Sequence, residues 1–97
     1  MPAYFIAQID VHDPEEYQHY LAGFFPIFER YGGELLVASS KEIEVIEGAW
    51  ALGRAVVLKF PSIETARAWK DDPDYRRLAA HRWRAAKTNM VLVAGAG

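Results

Sequence analysis

The hydrophobic and polar positions in the first third of the chain predict a strand followed by one long helix. Residues 3–11 alternate with period two, which is typical of a strand. Asp13-Pro14 then supplies a helix N-cap and a proline at the first helical position. The apolar stripe of this helix recurs every three or four residues and comprises Tyr17, Tyr20, Leu21, Phe24, Phe28 and Tyr31. Gly32-Gly33 ends the helix, and Pro26 inside it predicts a kink about one turn earlier.

The remainder of the chain carries the same signals in shorter segments. Ser62 and Asp72-Pro73 each supply the cap that starts a helix. The predicted strands are residues 34–39, 55–60 and 90–94, and a further short run at residues 42–47 favours a hairpin with the first of them or a small flap. Residues 48–53 are predicted as a loop, and the two later helices end before Asp72 and near Lys87.

The order of these elements predicts an α+β fold, a ferredoxin-like sandwich. Strand, helix, strand with hairpin, strand, split helix and strand give one four-stranded antiparallel sheet. Both helical connections lie on one face of the sheet because such crossovers are right-handed. The length of 97 residues supports one hydrophobic core, so we expect a single domain over residues 1–97.

The strands are apolar on both faces, and this feature predicts an assembly. In the first strand Phe5 and Ile9 point one way, while Ile6 and Gln8 point the other. The helices of one chain cover one face, and the other face, roughly 320 Å² in projection, stays bare. We therefore predict a two-fold homodimer in which the sheets of two subunits pack as a dimeric α/β barrel, with Gln8 on the dimer face. The alternative is that the loop at residues 48–53 covers the bare face.

Composition restricts the class of protein. With 52% hydrophobic and 25% charged residues the chain is typical of a folded protein rather than a disordered one. The absence of cysteine excludes disulfides, thiol catalysis and thiolate metal centres. No apolar run reaches the roughly 18 to 20 residues that span a bilayer, and no basic segment leads into a signal-like stretch, so we expect a cytoplasmic protein with no membrane partner.

Charge is distributed unevenly along the chain. Residues 1–50 hold nine acids and two bases, whereas residues 51–97 hold four acids and nine bases. The bases of one stretch in the second half are Arg76, Arg77, Arg82, Arg84 and Lys87, a pattern that would suit a phosphate backbone. A solvated helix face explains this stretch as well, and the acidic first half opposes nucleic acid, so a nucleic-acid partner is not expected.

The chain resembles a known family along nearly its whole length. The matching residues are Ala7-Gln8, Asp13-Pro14 with Tyr17 and Tyr20, Tyr31-Gly32-Gly33, Glu47-Gly48, Phe60-Pro61-Ser62, Ala66 with Ala68-Trp69, and Pro73 with Tyr75 and Arg82. By these residues the chain is similar to the small bacterial family of domain of unknown function 1330, within the dimeric α/β-barrel superfamily. Lys59 departs from the family pattern, in which an acid often stands before the Phe-Pro-Ser turn.

The resemblance implies a ferredoxin-like dimer and no established reaction. Relatives in the wider superfamily include cofactor-free monooxygenases, haem-handling enzymes and isomerases or lyases of small molecules, which use a cleft between helices and sheet. A shared fold does not carry a function, so the function has to be argued from the site.

Arg82 is the polar residue that most needs an explanation. It follows Tyr75 and Leu78 at helical spacing, so its permanent charge points toward the apolar side of its helix. In a functional role it would hold a carboxylate or an enolate-like oxygen through bidentate hydrogen bonds. In a structural role it would form an internal salt bridge, for which Glu47 is the predicted acid.

Aromatic and histidine residues supply the other candidates. Trp69, Tyr17 and Tyr20 would line an aromatic pocket, although aromatic residues at helical spacing are more often core. Glu15 and His19 share a helix face, but no third or fourth ligand stands at metal spacing, so neither a metal site nor a cofactor is predicted.

The sequence therefore favours a cytoplasmic homodimeric binding domain. We expect a cleft in each subunit, formed by Tyr17, Glu47, Trp69 and Arg82, that binds a small anionic or aromatic molecule. The alternative is a cofactor-independent monooxygenase or isomerase that acts on a small organic molecule in the same cleft.

Overall fold

The computed structural model describes residues 1–96 and has the predicted α+β ferredoxin-like fold. Its elements are β1 (Ala3–Val11), α1 (Pro14–Arg30), β2 (Glu34–Ser39), β3 (Arg54–Phe60), α2 (Ile63–Asp71), α3 (Pro73–Ala85) and β4 (Ala86–Ala94). The four strands form one antiparallel sheet in the order β2-β3-β1-β4. None of the helices in the described part of the chain has the length and apolar character needed to cross a bilayer.

The start and end of α1 follow the signals in the sequence. The Asp13 carboxylate accepts a hydrogen bond from the backbone N–H of Glu16 at 3.2 Å, as an N-cap residue does. At the other end Gly32 has a φ of +72°, and its N–H and that of Gly33 donate back to the carbonyls of Glu29 and Phe28. This is the Schellman motif that the glycine pair predicts. The helix is continuous across its internal proline.

Residues 42–47 form no strand, so of the two alternatives for this segment the hairpin is not formed; Glu42 at its start has a φ of +54°, outside the extended region. Two predicted boundaries near the end of the chain are wrong. The last strand begins at Ala86 instead of residue 90, and α3 ends at Ala85 instead of near residue 87. Here the carbonyl of Ala85 accepts the backbone N–H groups of His12 and Asp13 at 2.9 and 3.0 Å, which fixes the helix end beside β1.

The covered face of the sheet carries the hydrophobic core. Phe5, Phe60 and Phe28 meet Trp69 of α2 with ring centroids 5.1 to 5.9 Å apart. Helices α1 and α3 approach closely at Gly23, where an added Cβ would lie 2.7 Å from Cδ1 of Leu78. The three helices are thereby fixed over one side of the sheet.

The opposite face of the sheet has no cover within the described chain. One row across all four strands is apolar and consists of Val37, Val57, Ile6 and Val91. In this subunit Ile6 is 39% exposed and Val91 is 55% exposed. The loop at residues 48–53 therefore does not bury this row. We call this surface, with its central apolar row, the open face.

Candidate functional site

A cavity of about 310 Å³ lies between α1 and the covered face of the sheet. Its lining comes from every helix and every strand: Tyr17, Tyr20, Leu21, Phe24 and Phe25 of α1; Phe5, Ala7, Ile9, Leu35, Ala38, Arg54, Val56, Leu58 and Met90 of the sheet; and Trp69, Tyr75 and Arg82 of α2 and α3. Ala7 and Ala38 have short side chains at places where larger ones would fill the space. The cavity is therefore encoded by small residues in the strands as well as by the aromatic stripe of α1.

Of the predicted site residues, Tyr17, Trp69 and Arg82 line the cavity and Glu47 does not. Glu47 is exposed, in the segment between β2 and β3, and the predicted Glu47–Arg82 salt bridge is not formed. The two residues are 35 positions apart in the sequence, and nothing in the local pattern fixes such a pairing. Among the described residues Arg82 therefore has no carboxylate partner of the kind that a purely structural role would require.

Arg82 is held by neutral groups. It is 5% exposed, its Nη1 donates to Oγ1 of Thr88 at 3.1 Å, and its guanidinium carbon lies 5.4 Å from the centre of the Tyr20 ring. Its Nε is buried and has no hydrogen-bond partner among the described residues. Burial opposes the charge, but the oxygens of Tyr75 and Tyr20 leave the pKa of Arg82 above its ordinary value, so the side chain stays positively charged.

Arg54 is a second cation in the cavity wall, and the sequence analysis missed it. It is the first residue of β3 and pairs with Ile9 of β1, whereas the strand was predicted to begin one residue later. The signal for it was the alternation itself, since Arg54 shares a strand face with Val56 and Leu58. Its Nε is also buried and has no partner in the described chain.

Both arginines lie at the same end of the cavity. Ile9 of β1 has Arg54 as its neighbour on β3 and Thr88, the partner of Arg82, as its neighbour on β4. The cavity is therefore cationic near the C-terminal end of β1. Its other lining side chains are largely apolar.

The cavity also contains three tyrosines. The hydroxyls of Tyr20 and Tyr75 are 2.7 Å apart and hydrogen-bonded. Burial raises the pKa of Tyr20 well above its ordinary value, and the Tyr75 oxygen adds to the shift while Arg82 opposes it. Burial also raises the pKa of Tyr17, against the opposing charges of Arg54 and Arg82. At neutral pH the hydroxyls of Tyr17 and Tyr20 are protonated and can donate hydrogen bonds.

Trp69 belongs to both the core and the cavity wall. It is 1% exposed, and its ring centroid lies 4.0 Å from that of Tyr75. Its Nε1–H is a third buried donor without a partner among the described residues. Three such donors, from Arg54, Trp69 and Arg82, thus belong to residues that line one cavity.

A second, more open cavity of about 440 Å³ adjoins the first. The two share Ile9, Tyr17, Leu21 and Arg54 in their walls. The second cavity adds polar residues, among them Gln18 and Ser40. Tyr17 and Arg54 therefore stand at the boundary between an apolar interior and a polar approach.

Gln8 lies on the open face, on the other side of the sheet from the cavity. Its Oε1 accepts a hydrogen bond from Nδ2 of Asn89 on the neighbouring strand at 3.4 Å. The carbonyl oxygen of the Gln8 side chain thus has a hydrogen-bond partner within the subunit. Its role in a dimer stays a prediction.

The basic stretch does not form one continuous cationic surface. Arg82 is buried, Arg77 pairs with Asp74, and Arg84 donates to Oε1 of Glu16 at 2.6 Å. The same Oε1 of Glu16 lies 3.2 Å from Nδ1 of His81. Hydrogen bonds with Arg84 and His81 lower the pKa of this carboxyl. Glu16 of α1 thus holds two basic side chains of α3.

Solved structures with this architecture are known. A protein of unknown function from Rhodopseudomonas palustris, RPA0582, is 21% identical with a TM-score of 0.75, over 99% of this chain and 83% of that one. SnoaB, a cofactor-independent oxygenase from Streptomyces nogalater, is 14% identical with a TM-score of 0.66, over 99% and 94%. A dimeric ferredoxin-like protein of unknown function from Thermobifida fusca is 17% identical with a TM-score of 0.57, over 98% and 92%. At these identities the likeness shows the fold alone.

The sequence itself places the chain in a family. No functionally curated protein matches it significantly. The family model described as Domain of unknown function (DUF1330) matches residues 2–96, almost the whole length that the structure describes. The chain therefore belongs to the DUF1330 family, as its scattered motifs indicated.

Proposed function

We propose that this chain is a homodimeric binding domain, and that each subunit holds one small organic molecule, anionic or aromatic, in the cavity between α1 and the sheet. The observation that carries the proposal is the pair of arginines, Arg54 and Arg82, in the wall of one largely apolar cavity, with no carboxylate within 4.0 Å of either among the described residues. A cation in an apolar wall without a counter-ion calls for a ligand that carries a negative charge or hydrogen-bond acceptors.

Binding is favoured over catalysis by the residues of the wall. Among the described residues that line the cavity there is no aspartate, glutamate, histidine or lysine. The raised pKa values of Tyr17 and Tyr20 keep their hydroxyls from acting as bases at neutral pH. A cofactor-independent oxygenase such as SnoaB shares the fold, and an activity of that kind here would need a substrate that ionises without a protein base.

The homodimer is supported by the open face. Its apolar row runs across the whole sheet, and oppositely charged pairs flank it, Glu34 beside Lys59 and Asp10 beside Lys87. An apolar centre with a charged rim is typical of a protein interface. In the segment between β2 and β3, Ile46 is 79% exposed, so it would add contact area beyond the sheet.

The binding proposal is tested by filling the cavity. Ala38 lines the cavity on edge strand β2 and is exposed, so Ala38→Phe would occupy the cavity with little strain on the core. We expect saturation-transfer NMR of the parent protein with 2-naphthoate and 2-naphthamide to detect binding of at least one, and A38F to abolish it. Gly53→Ala is the control, because an added Cβ there meets nothing within 4 Å. Absence of binding by both probes, or equal binding to A38F, would contradict the proposal.

The dimer proposal is tested by placing a charge in the apolar row. We expect Val91→Lys to give a folded monomer in sedimentation equilibrium at micromolar concentration, because a lysine facing the partner's apolar row would lose its hydration. Trp83→Lys is the matched control, since Trp83 is 57% exposed on α3, on the helical side. A parent protein that sediments as a monomer would refute the dimer.

A further inference from the structure

We infer that the ligand of the cavity is an amphipathic monocarboxylate, whose acid group lies between Arg54 and Arg82 and whose apolar body extends toward Phe24 and Leu58. This inference rests on the proposed binding function and specifies the chemistry of the ligand. Three features of the cavity carry it: the placement of its charges, the absence of a counter-ion, and the size of its apolar part.

The sheet register places the two cations on either side of one residue. Arg54 and Thr88 are the cross-strand neighbours of Ile9, and Thr88 holds Arg82 at 3.1 Å. With strands about 4.8 Å apart, the backbones of Arg54 and Thr88 are separated by about 10 Å. Two arginine side chains can bring their guanidinium groups to one carboxylate across such a span.

The charges of both arginines are uncompensated in the described chain. Neither Arg54 nor Arg82 has a carboxylate within 4.0 Å among the described residues. A carboxylate has two oxygens that accept the parallel N–H groups of an arginine, and its charge would balance the buried cation. A neutral ligand would leave that charge uncompensated.

The rest of the wall restricts the ligand to one anionic group. Away from Ile9, the sheet contributes Phe5, Leu58 and Leu35, three apolar neighbours in one row, and α1 adds Phe24 above them. A second carboxylate or a phosphate dianion would bury its additional oxygens against these side chains. The volume of about 310 Å³ is at the lower end for small-molecule sites, which corresponds to about ten to fifteen non-hydrogen atoms.

The test compares carboxylates with their neutral amides by calorimetry on the full chain. The pairs are benzoate and benzamide, cinnamate and cinnamamide, 2-naphthoate and 2-naphthamide, and octanoate and octanamide. We expect at least one carboxylate to bind about tenfold or more tightly than its amide, because a charged hydrogen-bonded pair is stronger than a neutral one.

Variants assign that difference to the two arginines. Arg54→Gln and Arg82→Gln should each lower the affinity for the tightest-binding carboxylate by about tenfold, and should change the affinity for the corresponding amide less than threefold. Arg76→Gln removes one positive charge at an exposed position of α3, and it should leave the affinities for the carboxylate and the amide within about twofold of those of the parent protein. Circular dichroism checks that each variant is folded. If the variant of the buried Arg82 unfolds, the Arg54→Gln variant still provides the test, because Arg54 is the first residue of its strand.

The outcomes separate this inference from the proposed function. Amides that bind as tightly as their carboxylates would overturn the monocarboxylate and leave the binding function in place. An equal loss of affinity in R76Q would overturn it as well, since the effect would then come from net charge. If none of the eight compounds binds, both the inference and the proposed function fail.

Discussion

Arg82→Met separates a ligand-binding role of Arg82 from a structural one. The substitution removes a buried positive charge and keeps an unbranched side chain of similar volume. Arg82 is 5% exposed and contacts the neutral Thr88 and Tyr20, and no acid among the described residues pairs with it. Because burial of a cation without a counter-ion costs several kcal/mol even after relaxation, and the tyrosine oxygens offset only part of this cost, we expect the ligand-free variant to be at least as stable as the parent protein.

The magnitude follows from the contacts of Arg82. The variant loses the hydrogen bond to Thr88, about 1 kcal/mol, the cation–π contact with Tyr20, about 1 kcal/mol, and the interaction of the guanidinium with the Tyr20 and Tyr75 oxygens, about 1 kcal/mol. It recovers a desolvation cost of about 3 to 4 kcal/mol. The net gain is about 0 to 1 kcal/mol in the free energy of unfolding. For a domain of this size each kcal/mol corresponds to about 4 to 8 °C in Tm.

Urea unfolding, followed by circular dichroism at one fixed subunit concentration, measures this change, since dimerisation would make the stability depend on concentration. Arg76→Met on the exposed side of α3 is the control and should stay within about 0.5 kcal/mol of the parent. If R82M lowers the free energy of unfolding by about 2 kcal/mol or more, Arg82 is a structural residue and the reasoning is refuted.

Further predictions concern packing at Gly33 and the ionisation of Asp72 and Tyr20. Gly33→Ala should lower the free energy of unfolding by about 1 to 3 kcal/mol in the same urea assay, because an added Cβ lies 2.3 Å from the buried Phe28 ring; an unchanged midpoint would contradict this. The hydrogen bond from Tyr31 holds the pKa of Asp72 below its ordinary value. The ionised Asp72 therefore stabilises the folded protein at pH values above the ordinary pKa, and this stabilisation is lost as the pH falls through the lowered pKa. Asp72→Asn should therefore flatten the fall of Tm between about pH 5 and pH 2 in calorimetry, and an unchanged slope would count against it. Tyr20→Phe should remove a phenolate absorbance step that occurs well above pH about 10, and the same titration curve with and without Tyr20 would exclude the raised pKa.

Much of the fold is predictable because its signals are local. Asp13 and Gly32 mark the ends of α1 by their own hydrogen bonds and backbone angle, which depend on few neighbours. The start of β4 was missed because Lys87 and Asn89 are polar, as residues on an uncovered sheet face can be. A strand with one polar face near its start gives a weak alternation signal.

The site was predictable only in part, because its chemistry depends on long-range pairing. Tyr17, Trp69 and Arg82 were identified from helical spacing, which places them on the inner sides of their helices. The position of Arg54 in the cavity wall depends on the register of β3 against β1. The wrong prediction for Glu47 concerned a contact with Arg82, 35 positions away in the sequence. A single sequence determines neither the register nor such a contact.

The alternation of β1 connects the cavity with the open face. Phe5 and Ile9 line the cavity, whereas Ile6 and Gln8 lie on the opposite face of the same strand. A shift of one residue in register would exchange the two sets and place Gln8 in the apolar cavity. Burial of Phe5 and Ile9 under the helices therefore fixes the register of β1 within one subunit. The same register sets Ile6 into the apolar row of the open face, so the proposed binding site and the proposed dimer depend on one alternating pattern, although they share no side chain.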